Sequence, residues 1–129
     1  NKLIILRQRN GKSYYEITEK GREVLAQYEL QEIALPRPKR WDQKWRILMF
    51  DIREGRKATR ENIRRALIRL GFERLQDSVW VYPYPCEEVM ELLRVAYGVR
   101  SEAIYLTTSR FLKDRWLLAA YDLLKYDED

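Results

Sequence analysis

Trp45-Arg46-Ile47-Leu48-Met49-Phe50-Asp51 is a near-continuous apolar run that ends on a carboxylate. Such a run predicts a strand over about 43–52, placed centrally in a sheet. A helix is predicted over 57–70, with Ile63, Ala66, Leu67 and Leu70 inward and Arg56, Lys57, Arg60, Arg64, Arg65 and Arg69 making its other side basic. Gly71 is its natural C-cap. Phe72–Leu75 then reads as a short strand or loop and Ser78–Tyr82 as a strand, leading into Pro83-Tyr84-Pro85. Cys86–Tyr97 reads as a second helix, with Val89, Leu92, Leu93 and Ala96 on one side. Its early Glu87, Glu88 and Glu91 suit the positive end of a helix dipole. Gly98 ends that helix, and 103–107 reads as another strand. From Gln43 the order is strand, helix, strand, strand, helix, strand, which is the split βαβ or ferredoxin-like arrangement of an α+β protein.

Outward from this centre, Ser109 is expected to cap a last helix over 110–125. Phe111, Leu112, Trp116, Leu117, Leu118, Tyr121, Leu123 and Leu124 make that segment apolar around most of its circumference. Such a helix needs cover on more than one side, and a partner subunit is one source of it. At the other end, Leu3–Arg9 and Lys12–Ile17 flank Asn10-Gly11, the strongest two-residue hairpin signal. Thr18 can cap a helix over 19–28 with Val24, Leu25 and Tyr28 on one face. A hairpin plus one helix is too little to be stable alone, so residues 1–28 are expected to be the back half of a module, and Asn1 is not a natural start residue. Residues 29–40 read as a linker, extended at Leu35-Pro36-Arg37-Pro38 because each proline restricts itself and its predecessor.

The 129 residues contain no histidine and one cysteine, Cys86. Histidine-based triads, imidazole bases, histidine- or thiolate-built zinc sites and internal disulfides are all excluded. Any catalysis must use carboxylates with a hard metal such as magnesium or manganese, or else lysine, tyrosine or serine. No apolar run approaches the length of a membrane span and nothing resembles a secretion signal, so no membrane partner and a cytoplasmic location are expected. The net charge is +5 but uneven: +4 over 1–40, +4 over 41–85 and −3 over 86–129, where the chain ends acidic. The positive two thirds make a plausible footprint for a polyanion.

Phe50-Asp51-Ile52, the basic helix, Leu70-Gly71-Phe72 and Leu75-Gln76-Asp77-Ser78-Val79-Trp80 together resemble the small endonuclease subunit of the CRISPR spacer-acquisition complex, over residues 43–107. The longer pattern, Lys44-Trp45-Arg46-Ile47 followed by Ser78-Val79-Trp80-Val81-Tyr82-Pro83-Tyr84-Pro85, is more similar to the phenylacetate-degradation repressor (PaaX) family. In that family a winged helix precedes a ferredoxin-like domain of the CRISPR type. Tyr14-Tyr15-Glu16-Ile17-Thr18, with Gly21-Arg22, is similar to the wing-to-helix segment of such regulators. Arg53 departs from the pattern, standing where the repressors commonly carry proline. The resemblance implies a partial winged helix over 1–35, a linker over 36–42 and a ferredoxin-like domain over 43–129.

The leading expectation is a transcriptional regulator that binds double-stranded DNA as a homodimer and needs no cofactor, with any small-molecule effector left unknown because no residue pattern identifies one. Two-fold symmetry would match a palindromic operator. Arg7, Arg9 and Lys12 on the wing, with Arg56, Lys57, Arg60 and Arg64 on the helix, are its candidate phosphate contacts. The alternative is a metal-dependent endonuclease, or a scaffold subunit of spacer acquisition. There Asp51 would be the catalytic residue and the magnesium or manganese ligand, paired with its twin across a dimer axis because one carboxylate holds such ions weakly. A dimerisation module without a nucleic-acid role is a third reading. Gln76 and Ser78 are expected to make turn or strand-edge hydrogen bonds. Trp41, Trp45, Tyr82 and Tyr84 are expected to pack rather than stack on bases, with Cys86 an ordinary helix-start residue.

Overall fold

Residues 2–127 are described by the computed structural model; Asn1 and positions 128 and 129 of the acidic end lie outside the described residues. Strand β1 (Ile4–Arg9) turns at Asn10-Gly11 into β2 (Lys12–Ile17), pairing Ile4 with Ile17 through Arg9 with Lys12. Both turn residues have positive φ, as the asparagine–glycine signal requires. Thr18 caps helix α1 (Glu19–Glu32), its hydroxyl accepting from the Gly21 N–H at 3.0 Å. Gly21 is needed for space, since a Cβ there would stand 2.3 Å from the Leu3 carbonyl oxygen.

The central unit contains β3 (Lys44–Phe50), α2 (Lys57–Leu70), β4 (Glu73–Gln76), β5 (Val79–Tyr82), α3 (Glu87–Tyr97) and β6 (Ala103–Ser109). Its strands lie in the order β4-β5-β3-β6, all pairs antiparallel. That is the ferredoxin-like order expected from the sequence, with β3 central. Gly71, with φ of 95°, ends α2 in the left-handed conformation that glycine adopts without strain.

Successive β3 residues face opposite sides of the sheet. Leu48 and Phe50 join Ile63, Leu67, Trp80, Val89 and Leu93 in the core beneath α2 and α3. Trp45 and Ile47 join Trp41, Val81, Leu117, Leu118 and Leu123 on the other side. The sheet is thus covered twice, by its crossover helices and by the C-terminal segment. The Pro83 carbonyl ties these layers together: it accepts from the Trp41 indole at 2.7 Å and from the buried Arg46 guanidinium at 2.8 Å.

Three expectations are corrected. Helix α1 extends to Glu32, and its buried positions are Gly21, Ala26 and Leu30, while Val24, Leu25 and Tyr28 face water. Docking against α3 selects that face: Ala26 and Leu30 enter the main core, and the Gln27 side-chain amide donates to the Ala96 carbonyl at 3.0 Å. The central strand is shorter than 43–52, because Gln43 has φ of 61° and cannot extend it. The long last helix does not form. Strand β6 runs through Ser109, and α4 (Arg115–Ala120) has only six residues. Lys113 and Asp122 adopt positive φ on either side, and the Asp114 carboxylate takes the Phe111 N–H, replacing helical continuity with a side-chain turn. The buried leucines of this segment are covered by the chain's own sheet, so no partner is required for them.

Candidate nucleic-acid interface

The exposed side of α2, the end of β3 and the β4–β5 turn enclose an open groove of about 320 Å³. Its floor is apolar, with Phe50, Ile63 and Trp80 all buried. Lys57, Arg60, Arg64 and Arg74 form a basic rim, opposed by Glu61 and Asp77. Helical spacing explains the rim: positions 57, 60 and 64 fall on adjacent turns of one face. Arg64 reaches Glu61 at 3.6 Å between half-exposed side chains, a pair that contributes little. The Arg74 guanidinium donates to the Asp77 carbonyl at 2.9 Å and lies 5.4 Å from the Trp80 ring centroid. Lys57 and Arg60 make no ion pair among the described residues. The groove is therefore an electropositive surface with an apolar base.

Arg56 is set apart from this group. Its Nη2 donates to the Tyr97 carbonyl at 2.7 Å and its Nη1 lies 3.9 Å from Glu102, so it binds the C-terminal end of α3 to the turn before α2. On the hairpin, Arg7, Arg9 and Lys12 share one face, since paired residues point the same way and alternate ones repeat it. All three are exposed, and Arg7 donates to Glu16 at 2.9 Å. This face and the α2 groove are the chain's two gatherings of sequence-selected cations.

Asp51 is exposed just beyond β3. Its N–H donates to the Glu102 carbonyl at 2.8 Å, and its carboxylate makes no ion pair or hydrogen bond among the described residues. No group of three acidic or cysteine side chains able to hold a metal forms among those residues. The donors described within one chain therefore do not fit a magnesium or manganese site, which demands several hard oxygen ligands in near-octahedral arrangement. Ser78 makes a strand-edge contact, its carbonyl accepting from Phe50 N–H at 2.9 Å. Trp41, Trp45 and Tyr82 are buried and Tyr84 half-buried, as packing residues.

Cys86 is 2% exposed, and burial pushes its thiol up to about 12. It should resist a thiol-specific reagent in the native state and react only on unfolding. Rapid stoichiometric labelling without denaturant would overturn that expectation. Arg74 is a rim residue that the sequence does not single out; its one signal is that exposed Arg74 and Gln76 flank half-buried Leu75 on β4, where the pairing with β5 is irregular.

A family model described as the PaaX protein central Cas2-like domain matches residues 38–116. No curated protein matches the chain.

Proposed function

This chain belongs to the PaaX family through its central Cas2-like domain, and on that premise we propose that it is a transcriptional regulator that binds double-stranded DNA as a homodimer. The observation that carries this reading is the gathering of Lys57, Arg60, Arg64 and Arg74 on one accessible groove. Cations so placed meet phosphates and release counterions, which positions a protein on a duplex without reading its bases. The hairpin and Thr18-capped helix are read as the wing and trailing helix of a winged helix, with Arg7, Arg9 and Lys12 on the DNA side. Dimerisation is assigned to the edge strand β6, where Ile104 and Leu106 are 52% and 38% exposed beside the part of the sheet that the C-terminal segment covers. A two-fold pair would suit a palindromic operator. No helix among the described residues is long and apolar enough to cross a membrane, and the reading places the regulator in the cytoplasm without a cofactor.

The second reading, a nuclease, is favoured by the unpartnered, exposed carboxylate of Asp51. It requires a twin Asp51 from a second copy to complete a magnesium or manganese site.

The test is anisotropy of a labelled duplex across a salt series, with sedimentation of wild type and Leu106→Glu. Binding is expected to weaken steeply with salt, and Arg7→Ala, Arg9→Ala and Lys12→Ala should each flatten the logarithmic slope by about 0.9. The Leu106→Glu chain is expected to sediment as a monomer. Binding indifferent to salt would remove the DNA reading. In magnesium or manganese, cleavage abolished by Asp51→Ala would move the function to nuclease; equal absence of cleavage by both proteins would leave the regulator.

A further inference from the structure

A second cleft, of about 530 Å³, lies where the hairpin and α1 meet the C-terminal end of α3 and the turn after it. Its charged lining balances only in part. Arg7 is paired with Glu16 across the hairpin, and Glu23 lies 3.7 Å from Lys20. Glu19 sits in the first turn of α1, where the helix dipole already favours a carboxylate. Arg22 and Arg100 make no ion pair among the described residues, although both line the cleft. Arg94 lines it from α3 and is incompletely satisfied. Its Nη2 donates to the Ala103 carbonyl at 3.1 Å and its Nη1 to Glu91 at 3.3 Å, while its buried Nε donates to nothing. Among the described residues it is the buried side-chain nitrogen or oxygen without a partner.

We propose that this cleft binds a small oxyanion, a phosphate or carboxylate that also carries hydroxyl donors. Arg22 and Arg100 supply charge from either wall. An oxygen between them draws the Arg94 guanidinium from the exposed Glu91 and gives Nε an acceptor. Glu19 and Glu23 accept from the ligand's hydroxyls. The bound ligand thereby joins α1 to the end of α3 and sets the attitude of the basic hairpin. Binding of the ligand does not rest on the DNA reading above.

The test is calorimetric titration of the whole chain with inorganic phosphate, which carries both oxyanion and hydroxyl groups, against chloride at matched ionic strength. Wild type is expected to bind phosphate. Arg22→Ala with Arg100→Ala, both surface changes, is expected to weaken it by roughly tenfold or more, and Arg94→Lys, which keeps the charge but removes the Nε donor, by roughly tenfold. Lys39→Ala with Lys125→Ala, which line neither cleft, should leave it unchanged. No heat beyond chloride, equal binding by the Arg22/Arg100 variant, or equal loss in the Lys39/Lys125 variant would each overturn the proposal. A duplex arm separates the two sources of phosphate. Retention of phosphate on the duplex-bound chain supports a free ligand, whereas its displacement would give the cleft to the DNA backbone and overturn the assignment. A chain that binds phosphate but no duplex would fail the regulator reading and keep this one.

Discussion

Asp114→Ala is expected to lower the unfolding free energy by about 3 kcal/mol. Asp114 is 4% exposed, and its carboxylate accepts from the Trp45 indole at 3.0 Å, from Arg110 Nε at 2.7 Å and Nη2 at 3.0 Å, and from the Phe111 N–H at 3.2 Å. Removing it leaves the Trp45 and Phe111 donors without this acceptor beneath the C-terminal segment and takes from Arg110 its nearest carboxylate, leaving Asp127 at 3.8 Å. The cluster over the second face of the sheet, including Leu117 and Leu118, should loosen with them. Burial raises the carboxyl, but hydrogen bonds from Arg110, Trp45 and the Phe111 N–H outweigh it and hold the group below its ordinary value. The sign follows. A folded value below the unfolded one gives stability that is fully present above about pH 4 and lost as pH falls through the folded value. The gap between wild type and variant in urea should therefore be widest near neutrality and close in acid. An unmoved urea midpoint at neutral pH would show that the carboxylate is not the staple its contacts imply.

Neutralising Lys57, Arg60 and Arg64 together is expected to flatten the logarithmic salt dependence of duplex binding by about 2.7, at 0.9 per phosphate contact. Affinity should fall across sequences alike, because such contacts carry no base information. The fold should hardly notice: Arg64 makes one half-exposed pair, and Lys57 and Arg60 make none among the described residues. Surface changes of this kind usually stay within about 0.5 kcal/mol. Arg56→Ala should do the reverse, lowering stability through its lost contacts to Tyr97 and Glu102 while sparing the slope. An unchanged slope in the triple variant, measured on folded protein, would remove α2 from the interface.

The ferredoxin-like order was legible because its elements are strongly patterned. The 57–70 helix has the expected bounds, and Asn10-Gly11, Thr18 and Gly71 do the local work their residue types predict. What was not legible depends on contacts distant in sequence. Helix α1 exposes Val24, Leu25 and Tyr28 because α3 meets it on Ala26 and Leu30, a choice periodicity alone cannot make. The apolar C-terminal segment breaks into short pieces because Asp114 finds Trp45, sixty-nine positions earlier, and holds a turn where a helix was expected. The basic rim was read from α2, but Arg74 arrives from a strand, and Arg56 is drawn away by Tyr97. Asp51 lies at a strand end as the apolar run predicts, and that no metal-holding group of three acidic or cysteine side chains gathers among the described residues is a tertiary fact.

The docking of α1 on α3 also makes the helix a lever. Its fulcrum is at Ala26 and Leu30, and the hairpin hangs from the far end at Thr18. Twelve residues of helix separate Leu30 from Thr18, about 18 Å at 1.5 Å per residue. A tilt of roughly ten degrees at the fulcrum would therefore carry the hairpin base about 3 Å, the length of one hydrogen bond. An adjustment of about an ångström where the two helices touch therefore displaces Arg7, Arg9 and Lys12 together, as a unit.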